Sequence, residues 1–449
     1  MIYHEKAKDI EVIGNYDVLV IGGGPSGLGA AIGAAKCGSS VMLIESQGAF
    51  GGMWTNGLVI TLGGFNSWLR PYRRCVDGAM GEWLRMSEEI GGAEDNRSWV
   101  LNSDPEKMKL VADTLINKYH IHCLLHTLMS DVIMDGNSVK GVIIENIEGR
   151  KAIMSKVTID CTGNGDVFAR AGAGFDLAEE VQPMTLPFFL AQVNPSGEFK
   201  DELTVPFGPE PGYLGKELLR SYTSRRMDVE IDQDILNEAY SDGKLPCFGG
   251  PWFGGMRRNY PWVNTTRIYG SALNAAELTE CEIEGRSDAF KIADYYKNNI
   301  KGFENSWIMS TGSTLGIRES RRLKGVYTLT SEDIAKNHKF EDSIAIGVWP
   351  LDVHPPKGEN GMHDMFVPLP YGIPYRCLLP IDVDNLLVAG RCISADREAM
   401  GSTRVGATCG ALGQAAGVAA ALSVVDKCSP RKVNIEKLHD ELKNENSIF

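Results

Sequence analysis

The stretch YDVLVIGGGPSGLGAAIGAAKCGSSVMLIE, residues 16–45, decides the fold. It contains an apolar run at 16–21, a glycine-rich turn, a small-residue helical segment at 28–35 and a second apolar run at 40–44. A strand, a turn, a helix and a second strand within about thirty residues form the βαβ unit of a parallel sheet. The sequence therefore predicts an α/β protein whose parallel sheet includes these two strands.

The glycines of this unit have the spacing of a dinucleotide-binding turn. Gly22 allows the tight turn from strand to helix, Gly24 lets backbone approach a pyrophosphate, and Gly27 lets the helix pack closely on the sheet. The start of the helix offers free N–H groups and the positive end of its dipole to the diphosphate. Glu45, at the end of the second strand, is suited to accept hydrogen bonds from ribose hydroxyls. The pattern predicts dinucleotide binding rather than a purely structural turn.

Two further glycine-rich turns favour a ligand longer than NAD. One lies at 51–57, soon after Glu45, and would suit a ribityl chain and ring that extend beyond the sheet edge. The other, CTGNGD at 161–166, follows an apolar run, and Asp166 could bond a ribityl hydroxyl there. A β-turn with a capping aspartate explains the second turn equally well.

Several segments along the chain carry a resemblance to a known family: VIGGGPSGLGAA, GGMWTNGLV, DCTGNGDV, PWVNTTRI, GIRESRRLKGVYTLT, GIPYRCLLP and NLLVAGRCISADREAMGSTRVGATCGALGQAAG. They resemble FAD-dependent oxidoreductases with the glutathione-reductase-type nucleotide fold, and within them the substrate-unassigned FAD-dependent oxidoreductase subfamily. The resemblance covers nearly the whole chain. It implies an extended FAD whose ring lies between a nucleotide domain and a β-rich substrate domain.

The expected fold class is α/β, with a Rossmann-like FAD-binding domain that combines a parallel sheet and a β-meander. Residues 1–175 and 372–449 are expected to form this discontinuous domain, because the apolar run at 385–389 provides a strand that returns to it. Residues 176–371 are expected to form a second, β-rich α+β substrate domain.

The segment GSTRVG at 401–406 precedes a helix of small residues. N–H groups at the start of that helix could stabilise negative charge on a reduced flavin, and Arg404 could strengthen this effect or hold an anionic substrate. Gly410, Gly413 and Gly417 recur at helical spacing and would let the helix lie close to the first one.

The residues expected to contact the cofactor come from all of these segments. They are Gly22, Gly24, Pro25, Ser26, Gly27, Glu45, Ser46, Gly51, Gly52, Met53, Thr55, Met129, Thr162, Gly163, Asp166, Gly390, Arg391, Arg404, Val405 and Gly406.

Arg318, His354, Tyr375 and Arg404 are the candidates for chemistry on the substrate. Arg318, in GIRESRR, could clamp a carboxylate, although a solvated salt-bridge cluster explains the same charges. His354, in WPLDVHPP, could be the general base that takes a hydroxyl proton, although a single histidine is often structural. Tyr375, in GIPYR, is an alternative proton donor or a wall beside the ring.

Composition sets limits on partners and compartment. The chain has 449 residues and a net charge of −13 at pH 7, which predicts two or three domains and disfavours nucleic acid and anionic lipid. Its ten cysteines include no CxxC pair, so no zinc, iron–sulfur or thiol-relay site is expected. The first residues lack the apolar core of a secretory signal, which makes the cytoplasm the expected location. The uncharged run at 405–425 could span a bilayer by length, but its composition favours a buried helix and no membrane contact.

We therefore expect FAD, bound noncovalently, to exchange a hydride with a small, polar, oxygenated organic substrate at the domain interface. A flavin monooxygenase with an external reductant and a non-catalytic flavin-binding redox sensor stay open as alternatives. The electron donor or acceptor is unidentified, since a second GxGxxG segment for NAD(P)H is missing. The state of assembly is open, a homo-oligomer included.

Overall fold

The computed structural model of the chain describes residues 1–69, 71–95, 99–194, 212–214, 231–257, 259–355, 357–360 and 365–449. The helices of the described residues are α1 (Pro25–Lys36), α2 (Gly78–Glu89), α3 (Pro105–Lys118), α4 (Asp166–Arg170), α5 (Gln233–Ser241), α6 (Ala275–Asn299), α7 (Ser331–Ala335), α8 (Arg397–Thr403), α9 (Gly406–Val425) and α10 (Ile435–Asn444). Short 3₁₀ turns occur at Gly52–Trp54, Tyr375–Leu378 and Pro430–Lys432.

The strands of the described residues belong to one larger sheet and several smaller ones. They are β1 (Val12–Ile21), β2 (Val41–Ile44), β3 (Thr61–Gly63), β4 (Ala93–Glu94), β5 (Val100–Ser103), β6 (His122–Leu124), β7 (Leu128–Asp135), β8 (Ser138–Asn146), β9 (Gly149–Asp160), β10 (Phe175–Asp176), β11 (Phe188–Ala191), β12 (Gly212–Leu214), β13 (Phe248–Gly254), β14 (Trp262–Thr266), β15 (Trp307–Thr311), β16 (Arg322–Leu323), β17 (Ser343–Gly347), β18 (Met365–Val367), β19 (Tyr371–Pro374) and β20 (Leu386–Val388).

The larger sheet combines parallel strands with a meander. Its strand order is β6-β2-β1-β9-β8-β7, and β20 also pairs with β9. β1 runs parallel to β2 and to β9, and β20 runs parallel to the end of β9. The start of β9 pairs antiparallel with β8, which pairs antiparallel with β7. The predicted α/β class with a Rossmann-like sheet is confirmed, while the assignment of 1–175, 372–449 and 176–371 to two domains stays a prediction.

The carboxyl ends of four parallel strands meet at one edge of this sheet. Ile21 lies opposite Ile44 on one side and Asp160 on the other, and Val388 lies opposite Asp160. Ligands of open α/β sheets bind outside the carboxyl ends of the strands. The turns that follow these four residues are therefore the place to look for a site.

α9 packs backbone to backbone on α1. A Cβ atom on Gly413 would lie 1.9 Å from the Ser26 carbonyl oxygen, and one on Gly417 would lie 2.1 Å from the Ala30 carbonyl oxygen. Only glycine permits this approach, as its spacing predicted. α9 has the length and apolar composition of a membrane span, but 83% of its most apolar window is buried inside the protein, in agreement with the buried helix predicted for 405–425.

A second, antiparallel sheet has the order β13-β14-β11-β15. Its central strands are short, since β11 covers only Phe188–Ala191 and β14 only Trp262–Thr266. The Leu186 N–H donates to the Thr266 hydroxyl at 2.7 Å instead of to a strand carbonyl. Pairing resumes only as an isolated bridge between Met184 and Ile268. A side chain has replaced a backbone partner, which hydrophobic patterning does not reveal.

Candidate FAD and substrate site

A cavity of about 550 Å³ lies at the carboxyl edge of the parallel strands. Segments from both ends and from the middle of the chain line it. The predicted site residues among its lining are Gly22, Gly24, Pro25, Ser26, Glu45, Ser46, Gly52, Met53, Met129, Thr162, Gly163, Asp166, Arg318, His354, Gly390, Arg391, Arg404, Val405 and Gly406.

Three predicted cofactor residues lie behind the lining and shape it. A Cβ atom on Gly27 would lie 1.7 Å from the Gly22 carbonyl oxygen, so Gly27 sets how closely α1 approaches the turn. The Gly51 N–H donates to the Gly23 carbonyl at 2.8 Å, and the buried Thr55 hydroxyl donates to the Phe50 carbonyl at 2.7 Å. The Gly51 hydrogen bond joins the two glycine loops, while Gly27 and Thr55 fix the shape of the loop to which each belongs.

Tyr375 lies elsewhere, and its expected role beside the ring is wrong. Its ring is only 2% exposed and belongs to the core beneath the sheet. Its hydroxyl donates to the Pro430 carbonyl at 2.8 Å, and burial raises its pKa. A distant segment supplies the acceptor that lets this ring be buried, which the local sequence GIPYR does not reveal.

The first end of the cavity is built for an anion next to a ribose. α1 begins at Pro25 with no side chain capping its N-terminus, so its first N–H groups face the cavity without an internal partner. Gly22 has φ +99°, a conformation in which a side chain would be strained. The buried Glu45 carboxylate accepts from the Gly23 N–H at 2.6 Å and from the Gln47 N–H at 2.7 Å. The acid thus holds the glycine turn as well as lining the site.

The turn after β9 depends on an acid that sequence reasoning missed. Asp160 is fully buried, and its carboxylate accepts from the N–H and hydroxyl of Thr162 and from the N–H groups of Val167 and Phe168. Burial raises its pKa, and these donors oppose that rise. Its position at the end of an apolar strand is the sequence signal that could have identified this aspartate. The predicted Asp166 lines the cavity and pairs with Arg321 at 3.2 Å.

Arg391 lies beside this turn. Its guanidinium donates to the Asn164 side-chain oxygen at 2.7 Å and to the Ser320 hydroxyl at 2.8 Å. The loss of hydration lowers its pKa to about 10, at which it remains charged at neutral pH. It adds a fixed positive charge to the wall between the two ends of the cavity.

The start of α9 forms another wall of the cavity. Val405, which precedes the helix, provides no side-chain cap, and Val405, Gly406 and Cys409 line the cavity. Gly406 lies against Trp54, since a Cβ atom there would be 2.3 Å from the indole nitrogen. The buried Arg404 Nε and Thr408 hydroxyl have no hydrogen-bond partner among the described residues.

The second end of the cavity contains a cluster of cations. Arg267 and Arg318 are 4% and 6% exposed, and Arg404 joins them in the lining. Arg318 donates to the Pro183 carbonyl at 2.6 Å, and Arg404 donates to the Asp352 carboxylate at 3.1 Å. Burial lowers the pKa of Arg267 to about 10. Burial, together with repulsion from Arg267 and Arg404, lowers the pKa of Arg318 well below its usual value. Arg318 itself is buried, while the neighbouring Glu319 pairs with Arg322 at 2.7 Å and with Arg397 at 3.1 Å.

His354 lies between this cluster and Asp352. An Arg267 N–H approaches the His354 Nδ1 at 3.1 Å, and the Nε2 lies 3.5 Å from an Asp352 carboxylate oxygen. Arginine can only donate, so Nδ1 is the acceptor and the proton of the neutral ring lies on Nε2, toward Asp352. The His354 N–H also donates to the Gln182 side-chain oxygen at 3.1 Å.

Arg267 and Asp352 are further residues that the sequence reasoning did not name as functional. Arg267 is the last residue of the segment WVNTTR. A basic residue directly after a buried strand is a sequence signal that could have indicated a site. Asp352 lies two residues before His354, within the segment that suggested the histidine. Arg267 and Asp352 lie next to Arg318 and Arg404 only because segments that are distant in the sequence contact each other in the fold.

A βαβ unit that ends in Glu45 and the helix α9, which begins without a side-chain cap, line one cavity. Together they define an FAD-binding oxidoreductase of Rossmann-like fold. The chain belongs to the FAD dependent oxidoreductase family, whose model matches residues 17–442. It is an enzyme, and FAD is its cofactor. The predictions of family, fold class, enzymatic nature and cofactor are confirmed.

Known proteins with a similar chain include a reductase, a reductase-like protein and a hydroxylase. Digeranylgeranylglycerophospholipid reductase 2 from Methanococcoides burtonii is 23% identical over 361 residues, 71% of this chain and 86% of the relative. A geranylgeranyl bacteriochlorophyll reductase-like protein from Thermoplasma acidophilum matches with TM-score 0.46 and 13% identity, over 96% of this chain and 83% of that chain. OxyS anhydrotetracycline hydroxylase from Streptomyces rimosus matches with TM-score 0.43 and 12% identity, over 96% of this chain and 66% of that chain.

The residues present fit FAD. Two uncapped helix N-termini, of α1 and α9, face one cavity, which suits a diphosphate and a ring that gains negative charge on reduction. Gly24 and Gly52 bring their backbones together without side chains, because a Cβ atom on Gly52 would lie 2.9 Å from the Gly24 Cα. The unpartnered Arg404 Nε is a further donor at the flavin-facing wall.

Proposed function

We propose that this enzyme transfers a hydride between FAD and a small, oxygenated organic substrate that carries an anionic group. Arg267, Arg318 and Arg404 bind that group. The observation that supports the proposal is the charge of this end of the cavity: three guanidinium groups face one carboxylate, Asp352, among its described lining residues.

The electrostatics favour an anion over a neutral ligand. Arginine keeps its proton in proteins, so the cost of burying Arg267 and Arg318 is an unfavourable electrostatic free energy and not a loss of charge. A carboxylate between them would relieve this repulsion and accept paired N–H bonds from a planar guanidinium. A neutral substrate would leave the repulsion in place.

FAD supplies the two-electron chemistry when it is bound. The turn around Gly22 and Gly24, the start of α1 and Glu45 would hold its adenosine diphosphate part. Asp166 and Arg391 would face the middle of the molecule. Val405 and Gly406 at the start of α9 would face its ring, with N–H groups that favour negative charge there.

His354 moves the proton that accompanies the hydride. Its Nδ1 is occupied by Arg267. A substrate anion competes for that arginine, and Nδ1 then becomes available to a substrate hydroxyl. Asp352, whose carboxylate lies 3.5 Å from Nε2, stabilises the ring once it is protonated.

Anaerobic titration of the yellow holoenzyme tests the proposal. Hydroxy acids are added in parallel with the matching neutral alcohols, sugars, amines, NADH and NADPH, and bleaching of the flavin absorption is recorded. We expect bleaching by hydroxy acids and not by the neutral alcohols. Arg318→Gln should lose this response, and His354→Ala should slow it while retaining FAD. Bleaching by NADH or NADPH alone, followed by oxygen-dependent turnover, would instead support a monooxygenase.

A further inference from the structure

A group of tryptophans forms the wall of the cavity next to the arginine cluster. Trp68, Trp99, Trp252 and Trp349 all belong to the lining. The ring centroids of Trp68 and Trp99 lie 3.9 Å apart, and Trp349 meets Trp68 edge-on at 5.1 Å. We call these four residues the tryptophan wall.

The outer members of the tryptophan wall have free surface. Trp68 and Trp99 are 2% and 6% exposed and serve as backing, whereas Trp252 and Trp349 are only partly buried against them. The Trp349 ring lies over Gly63, where a Cβ atom would be 2.3 Å from it, so its orientation is fixed. Trp349 therefore offers a flat face of fixed orientation to the cavity.

The tryptophan wall is connected to the arginine cluster at two points. Trp349 lies three residues before Asp352 on the same segment. Its carbonyl also accepts a hydrogen bond from the Ser402 hydroxyl, two residues before Arg404. The indole rings and the guanidinium groups line the same cavity, so a ligand held by the arginines can extend along the indoles.

We propose that the substrate is a hydroxy acid that carries an aromatic ring: its carboxylate meets Arg267, Arg318 and Arg404 while its flat ring lies against Trp252 and Trp349. This inference rests on the proposed function for the anionic group and adds the shape and electronic character of the rest. Indole faces carry negative charge and indole edges positive charge, so they attract another aromatic ring beyond the burial of apolar area. A saturated ring of the same size lacks that attraction.

The test compares three probes that differ in one property each. Benzoate is flat and charged, cyclohexanecarboxylate is charged but puckered, and benzamide is flat but neutral. Their dissociation constants for the oxidised holoenzyme are measured by the perturbation of the flavin spectrum and by calorimetry. We expect benzoate to bind about tenfold more tightly than cyclohexanecarboxylate. Benzamide should bind more weakly than either.

Variants separate the inference from the proposed function. Trp349→Leu and Trp252→Leu should each reduce the preference for benzoate over cyclohexanecarboxylate, while Arg318→Gln should weaken both carboxylates equally. Trp307→Leu, at a tryptophan that is 51% exposed and outside the cavity, is the matched control and should change nothing. Two independent tryptophan variants keep the test open if one of them fails to fold.

The outcomes are distinguishable. Equal affinity for benzoate and cyclohexanecarboxylate in the intact enzyme would overturn the aromatic assignment and leave the anionic site standing. Equal affinity for benzoate and benzamide would overturn the anionic site, and with it the proposed function. A preference for benzoate that survives both tryptophan variants would also overturn the assignment to the tryptophan wall.

Discussion

Glu45 and Arg318 give the two ends of the cavity opposite charge, and each has a second task within the protein. Glu45 accepts two backbone N–H bonds from the turn that it follows. Arg318 donates to the Pro183 carbonyl from a position almost without solvent. The function of such residues cannot be separated from local structure, so variants need readouts for both ligand binding and stability.

Glu45→Ala should lose most of its FAD. Removal of the carboxylate leaves the buried Gly23 N–H without its acceptor, at a cost of about 1–3 kcal/mol, and also removes the ribose contact. We expect the affinity of apoprotein for FAD to fall at least tenfold, measured by flavin fluorescence quenching. Glu148→Ala, at an exposed acid, is the control. Full retention of FAD by Glu45→Ala would contradict the ribose assignment.

Arg318→Gln should separate stability from ligand binding. The three guanidinium groups repel one another, and removal of one partly relieves that repulsion. We therefore expect the melting temperature of the holoenzyme to be unchanged or raised, while affinity for carboxylates falls about tenfold or more. Thermal unfolding and calorimetric titration with benzoate measure the two effects. A large fall in melting temperature with unchanged carboxylate affinity would show that Arg318 is purely structural.

At the scale of elements, the crossing of α1 and α9 connects the two cofactor-facing helix ends. Gly413 and Gly417 meet carbonyl oxygens of Ser26 and Ala30, which belong to the first two turns of α1. Any side chain at the crossing must push the helices apart. The same displacement moves the start of α1 relative to the start of α9.

Gly413→Ala should therefore affect both stability and FAD binding. Its Cβ would lie 1.9 Å from a carbonyl oxygen, and overpacking of this kind costs about 1–3 kcal/mol. We expect a lower melting temperature and weaker FAD binding together. Gly174→Ala is the control, because a Cβ there meets only ordinary contacts at 3.5 Å. An unchanged melting temperature would indicate that the helices are not in tight contact.

The sequence predicted those elements whose pattern is local. The first strand, α1, the second strand and α9 are each encoded by consecutive residues, and their bounds were predicted within a few positions. The arginine cluster could not be predicted in the same way, because Arg267, Arg318 and Arg404 are each separated by more than fifty residues. The prediction for Tyr375 was wrong for a related reason, because Pro430, whose carbonyl accepts its hydrogen bond, lies in a different segment.

At the scale of the molecule, FAD must connect segments that the chain keeps far apart. The lining of the cavity begins at Ile21 and ends at Cys409. A ligand that contacts both ends stabilises the protein by mass action, and its effect extends over every segment that it touches. A fragment of the ligand should protect only the part of the cavity that it reaches.

Hydrogen exchange of the apoprotein with FAD or ADP tests this extended placement. FAD should slow exchange both at residues 22–53 and at residues 401–410, because both segments line the cavity. ADP, which lacks the ring, should slow exchange at 22–53 and leave 401–410 near the rate of the apoprotein. α7, at 331–335 and outside the lining, is the internal control. Equal protection of 401–410 by both ligands would place the adenosine diphosphate part, and not the ring, beside α9.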